Sequence, residues 1–170
     1  MDECDRIVAQ HGQAVWQTIY RLLGSQEGAA DCFQETFFQF IQIAAKSNVD
    51  HSLALLKRIA TRRAIDLIRK RANSRQKQVP LDEQYPSKEV DPWKGLAAEE
   101  FAQSLRDALQ HIPPDQATVF CMTQLEQMDP SEVGTAMGID TGHVAVLLHR
   151  ARAALQGRLA KHLWASRRQP

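Results

Sequence analysis

Apolar residues recur along this chain at every third or fourth position, and nowhere do they alternate for long with polar ones. That rhythm predicts helices and no sheet. Ile7, Val8, Val15, Ile19, Leu22 and Leu23 make the buried stripe of a first helix over about residues 3–23, which Gly24 ends. Phe33, Phe37, Phe40, Ile41 and Ala44 make that of a second, over about 27–45. The polar stretch KSNVDHS is a loop, in which Asp50 or Ser52 can cap the next helix. In that third helix, about 52–72, Leu56, Ile59, Ala60, Ala64 and Leu67 share one face. Arg58, Arg62 and Arg69 fall within about 40° of one another on the opposite face.

Periodicity then lapses. Residues 73–95 are polar, contain three prolines and no apolar period, and read as a linker, with Trp93 an exception. Helices resume over about 96–111, closed by Pro113-Pro114, and over about 114–127, opened by Pro114. Asp129-Pro130-Ser131-Glu132 carries a cap, a first-turn proline and a capping-box acid, and so starts a short helix to about Met137. Gly138 turns the chain, Ile139 points inward, and Asp140 or Thr141 caps a long helix to about Leu163. Short helix, glycine turn and longer helix match a helix-turn-helix. The expected fold is all-α: two small helical domains, 1–75 and 96–170, joined by a linker over 76–95, the C-terminal one a helix-turn-helix.

Composition narrows the class. With 170 residues, 44% hydrophobic and 24% charged, the chain has globular character, and two domains of this size would each have a modest core. No apolar run approaches a bilayer's width, and the acidic N-terminus MDECDRIVAQ lacks a signal-like core, so no membrane insertion and a cytoplasmic location are expected. Cys4, Cys32 and Cys121 are far apart and form no C-x-x-C pair, which favours buried thiols over a disulfide or metal site. The six histidines include no H-x-x-x-H or H-E-x-x-H pair and no glycine-rich phosphate loop is present, so neither an enzyme nor a cofactor is expected.

The formal net charge of +1 conceals segregation. Residues 57–77 carry nine bases and one acid, and 145–170 carry six bases and no acid, whereas 115–140 carry five acids and no base. Two basic blocks set apart by acidic ones point to two contacts with a polyanion.

Three stretches together resemble a known family, the bacterial RNA polymerase sigma factors of the extracytoplasmic-function (ECF) type. Asp31-Cys32-Phe33-Gln34-Glu35-Thr36-Phe37 is similar to the family's D-x-x-Q-E-x-F helix. Arg58-Ile59-Ala60 with Arg63-Ala64-Ile65-Asp66-Leu67-Ile68-Arg69 is similar to its R-I-A-x-x-R-A-x-D-x-x-R helix. Leu109 to Arg152, with Ile112-Pro113-Pro114, Gly138-Ile139, Gly142, Val144 and Leu148-His149-Arg150-Ala151-Arg152, is similar to its C-terminal helix-turn-helix. The resemblance implies that Asp31, Phe33, Gln34, Glu35 and Phe37 dock on the polymerase. It implies that Arg58, Arg62, Arg63, Arg69, Lys70 and Arg71 meet promoter phosphates, and that Asn48 and His51, beside Asp50 in the preceding loop, meet an unstacked base. Thr141, His143, His149, Arg150 and Arg152 would meet the more distant promoter element. The implied partners are core RNA polymerase, promoter DNA and, as family members are often held by one, an anti-sigma factor. Trp93, Leu147 and Trp164 are apolar candidates for that last contact.

The chain departs from the family in three places. Ser52-Leu53-Ala54-Leu55-Leu56 has no aromatic to stack on opened bases. Arg62 stands where the family has an asparagine. His143-Val144-Ala145-Val146-Leu147-Leu148 stands where it commonly has T-V-K-S-R-L, so Ala145, Val146 and Leu147 offer no hydrogen bonds to base edges. Either this helix reads a T-rich site by methyl contact and shape, or it binds protein. Two rivals stay open beside a working sigma factor: a polymerase-binding competitor that reads promoters poorly, and a plain helix-turn-helix regulator.

Overall fold

The computed structural model describes residues 2–77 and 92–166. Seven α-helices account for them: α1 (Glu3–Leu23), α2 (Ala29–Ala44), α3 (Ser52–Lys77), α4 (Pro92–Leu109), α5 (Pro114–Phe120), α6 (Pro130–Met137) and α7 (Thr141–Ser166), with a π-helical turn, Cys121–Leu125, continuing α5. Most of the expected linker, the segment 78–91, lies outside the described residues, as do the side chains of Trp93 and Trp164.

Local chemistry sets the helix ends. Asp2 and Asp5 form a reciprocal capping box at the start of α1, and Gly24, at φ 68°, closes it in the left-handed conformation that glycine adopts without a Cβ penalty. Asp129 and Glu132 make the same box on α6, behind Pro130, and Gly138 at φ 70° ends that helix. Of the two candidates at α7, Asp140 is the cap, accepting from the His143 N–H at 2.7 Å. At α3 Asp50 accepts instead from the Asn48 amide, at 3.0 Å, while the His51 carbonyl takes the first helical N–H, from Leu55, at 3.1 Å.

Helix α3 is the centre of the molecule. α1 and α2 pack on one side of it, and α5, the π turn and α6 on the other. Leu56, Ile59, Ala60 and Ala64 are buried as the periodicity predicts, and Leu67 is partly so. Ile65 and Ile68 are buried as well, which a solvent-facing basic side would not require. One continuous core therefore runs from Val15, Ile19 and Phe40 through α3 to Leu109, Ile112, Cys121 and Leu155. A smaller cluster, Val119, Met122, Met128, Val133, Val144 and Leu147, holds the helix-turn-helix together. The expectation of a separate core for each domain gives way to a shared one. Val8, Ile41 and Ala44, assigned to the buried stripes, are exposed.

Among the described residues no helix is long and apolar enough to cross a membrane, and no group of His, Cys, Asp and Glu could hold a metal ion.

Candidate nucleic-acid interface

On α2, Asp31, Gln34, Glu35 and Phe38 are exposed within an arc of about 100°. Phe37 is buried, and Phe33 is half-buried, its ring 4.9 Å from that of Phe37 and 5.9 Å, edge-on, from that of Trp16. The resemblance places both in partner contact, yet Phe37 is a core residue. The apolar side chain that does reach outward is Phe38, 64% exposed. The signal for it is in the sequence: one residue past Phe37 is 100° around the helix, back beside Gln34 and Glu35.

The predicted arginine face of α3 is brought together but not open. The Arg62 Nη1 donates to Asp115 Oδ1 at 2.8 Å, and the Arg69 guanidinium donates to the Ile112 carbonyl. The Nε atoms of Arg58 and Arg69 are buried with no hydrogen-bond partner among the described residues. Burial, and secondarily the neighbouring Arg62, pushes the Arg58 pKa down, against an upward pull from Asp115. Thr61 and Ile65, which share this face, are fully buried. Arg63 lies elsewhere, donating to Glu35 and, at 3.1 Å, to Gln39 on α2, so it braces the outward α2 surface. Arg71 donates to the Glu27 carbonyl, and Lys70 is exposed beside Asp31 and Glu35 on the wall of a cleft between α2 and α3.

The α2–α3 loop forms one rim of a groove of about 590 Å³, in which His51, Asp50 and Lys57 face Glu126, Gln127 and Ser131 of the C-terminal half. Asn48 is exposed next to it.

In the helix-turn-helix, Thr141, His143, Ala145, Val146, His149, Arg150 and Arg152 are exposed, whereas Val144 and Leu147 point into the core beneath. Leu147 is therefore free neither for a thymine methyl nor for a protein partner; it is a packing residue. The outer face is thus a pair of small apolar groups flanked by histidines and arginines. Such a surface can make methyl contacts and hold phosphates but offers few donors to base edges.

Two family models match this arrangement: sigma-70 region 2 over residues 7–74 and sigma-70 region 4 over residues 102–155. The chain belongs to the sigma-70 family of RNA polymerase sigma factors. It is of the ECF type: it is 29% identical over 163 residues to the ECF RNA polymerase sigma factor SigE of Mycolicibacterium smegmatis, and 25% identical over 162 residues to SigW of Bacillus subtilis. These alignments cover 95% and 90% of the chain. The chain spans 63% of the length of that SigE and 87% of that SigW. Among solved structures, CnrH in complex with the cytosolic domain of CnrY matches with a TM-score of 0.58 at 21% identity, over 93% of this chain and 88% of that one. The Bartonella quintana sigma factor RpoE, in complex with the anti-sigma factor NepR, matches with a TM-score of 0.54 at 18% identity, over 92% and 96%. Region 2 is α1–α3 and region 4 is α4–α7, and sigma factors are not themselves enzymes.

Proposed function

We propose that this sigma factor docks core RNA polymerase through the outward face of α2 and directs it to a set of promoters. Asp31, Gln34, Glu35 and Phe38 form the docking face, with Arg63 and Phe33 as its supports. Arg58, Arg62 and Arg69, with Lys70 and Arg71, hold phosphates of the upstream element near the start site, Asn48 and His51 meet an opened base, and Thr141, His143, His149, Arg150 and Arg152 meet the more distant element. The working units are 1–75 and 96–170 with 76–95 between them, and the site of action is the cytoplasm.

One observation carries the reading: both sigma regions, in family order, leave the α2 face and the outer face of α7 exposed. Polymerase capture tests it. Wild-type protein is expected to bind core polymerase, and Gln34→Ala with Glu35→Ala to lose that binding while keeping its helicity. Equal capture of the doubly substituted chain would overturn the α2 docking face, and no capture of the wild-type protein would leave the plain helix-turn-helix regulator standing.

A specific observation supports a second reading. Ala145 and Val146 occupy the outer face of α7 where hydrogen-bonding side chains would read bases, as a polymerase-binding competitor with weak promoter reading would permit. An anti-sigma partner is also proposed, on the likeness to RpoE, which was solved with NepR, and to CnrH, which was solved with CnrY.

A further inference from the structure

The acidic segment of region 4 lies on the basic helix of region 2. Residues 115–140 hold five acids and no base, and α5, the π turn and α6 from this segment pack on α3. The contact is specific as well as complementary. Glu126, whose side chain is only 7% exposed, accepts from Arg21 Nη1 at 2.7 Å and pairs with Lys57 Nζ at 3.1 Å, so a region 4 carboxylate sits between two region 2 cations. Arg21 also donates to the Leu125 carbonyl at 3.2 Å. The π turn, through its Glu126 N–H to Cys121 carbonyl bond of 3.0 Å, sets where that carboxylate emerges. Arg106 Nε also donates to the Leu22 carbonyl at 2.8 Å across a bare Gly24, where a Cβ would collide with the guanidinium.

We propose that region 4 is an intramolecular cover for the promoter-facing arginines of α3, latched by Glu126 between Arg21 and Lys57 and by Asp115 on Arg62. The proposal rests on the sigma-factor assignment of those arginines. Arg62 held by Asp115, Arg69 held on the Ile112 carbonyl and Arg58 half-buried with its Nε covered cannot, while so held, reach a duplex. Covered and phosphate-bound states therefore exclude each other, and anything that binds only the open state shifts the balance toward it. Two features make the cover releasable. The buried Nε donors of Arg58 and Arg69 lack partners in the closed state, a cost that opening removes. The α2 docking face stays exposed with the cover shut, so polymerase can engage before region 4 leaves.

The test uses the full chain, Glu126→Gln and Asp115→Asn. Neither residue belongs to a docking or DNA-binding face, and the Asp115 side chain is 65% exposed, so that variant keeps the test alive should Glu126→Gln fail to fold. Small-angle scattering reports opening, anisotropy of a labelled mixed-sequence duplex against salt reports uncovered cations, and capture by core polymerase reports the underlying assignment. Each variant is expected to expand, to bind the duplex more tightly, and to be captured as before. Full release of the three arginines steepens the log–log salt dependence by about 2 to 3, at ~0.9 per phosphate contact. Variants that keep the wild-type salt dependence while both proteins are still captured would overturn the cover alone. A wild-type chain that binds neither duplex nor polymerase would overturn the sigma-factor reading, and the cover with it.

Discussion

Phenylalanines two positions apart on α2 have opposite fates, and substitution separates them. Phe38→Ala is expected to weaken polymerase binding roughly 5- to 30-fold, as truncation of an aromatic anchor does, with no change in melting temperature. Phe40→Ala removes a ring only 1% exposed and is expected to cost about 3–5 kcal/mol of stability, read by denaturant unfolding. The thiols give a third readout. Burial raises the Cys32 pKa to about 11 and that of Cys121 to about 12, so a thiol reagent at neutral pH should modify neither until the protein unfolds, whereas half-buried Cys4 reacts. The sign of the linkage follows. Both thiols are neutral in either state below the ordinary value of about 9, so their contribution is fully present there. It falls as pH rises from 9 toward 11 and 12, because only the unfolded chain can ionise them. At this scale the sequence revealed which residue types matter but not which of two neighbours faces out: Phe33 and Phe37 lie about 40° apart and Phe38 about 100° past Phe37, and an arc read from periodicity is no sharper than that.

Among the elements, those closed by local chemistry were the most legible. The capping boxes of α1 and α6 and the turns at Gly24 and Gly138 draw on residues within four positions of each other, so spacing alone locates them. Asp129→Ala should cost about 1 kcal/mol through loss of its bond to the Ser131 N–H, measured as a fall in the denaturation midpoint. Gly134 is a second test of the helix-turn-helix. A Cβ there would meet the Ile139 carbonyl oxygen at 2.7 Å, so Gly134→Ala should shift the turn and weaken duplex binding by the isolated contact of α7, seen as lower affinity at fixed salt. The π turn was not legible: 114–127 reads as one helix, because the apolar rhythm is the same for an i to i−4 ladder and for a single i to i−5 bond such as that from the Glu126 N–H to the Cys121 carbonyl. The first turn of α3 was half legible, since the spacing marks Asp50 and Ser52 as acceptors while Asp50 serves Asn48 instead.

At the scale of the whole molecule, the all-α, two-region organisation follows from the helical rhythm and the proline-rich break, while the packing of the regions against each other does not. A helix with arginines at 58, 62 and 69 has the pattern of one wet face and one dry face. Here the arginine side is packed on as well, because acidic region 4 supplies partners, Asp115 for Arg62 and the Ile112 carbonyl for Arg69, that no local window contains. The one hint was Ile65, which at 100° per residue falls about 20° from Arg58 at the edge of the arginine arc, at an angle where a purely solvated helix gains nothing from isoleucine. The apolar outer face of α7 belongs to this scale too, since it decides whether docking on polymerase ends in transcription. The direct measurement is run-off transcription by core polymerase from the same organism, with and without this protein, on a pool of its promoter fragments. Specific transcripts that require the protein, sharing an upstream sequence rich in thymine, are the predicted result. Tight polymerase binding with no specific transcript would contradict the account and leave a competitor in its place.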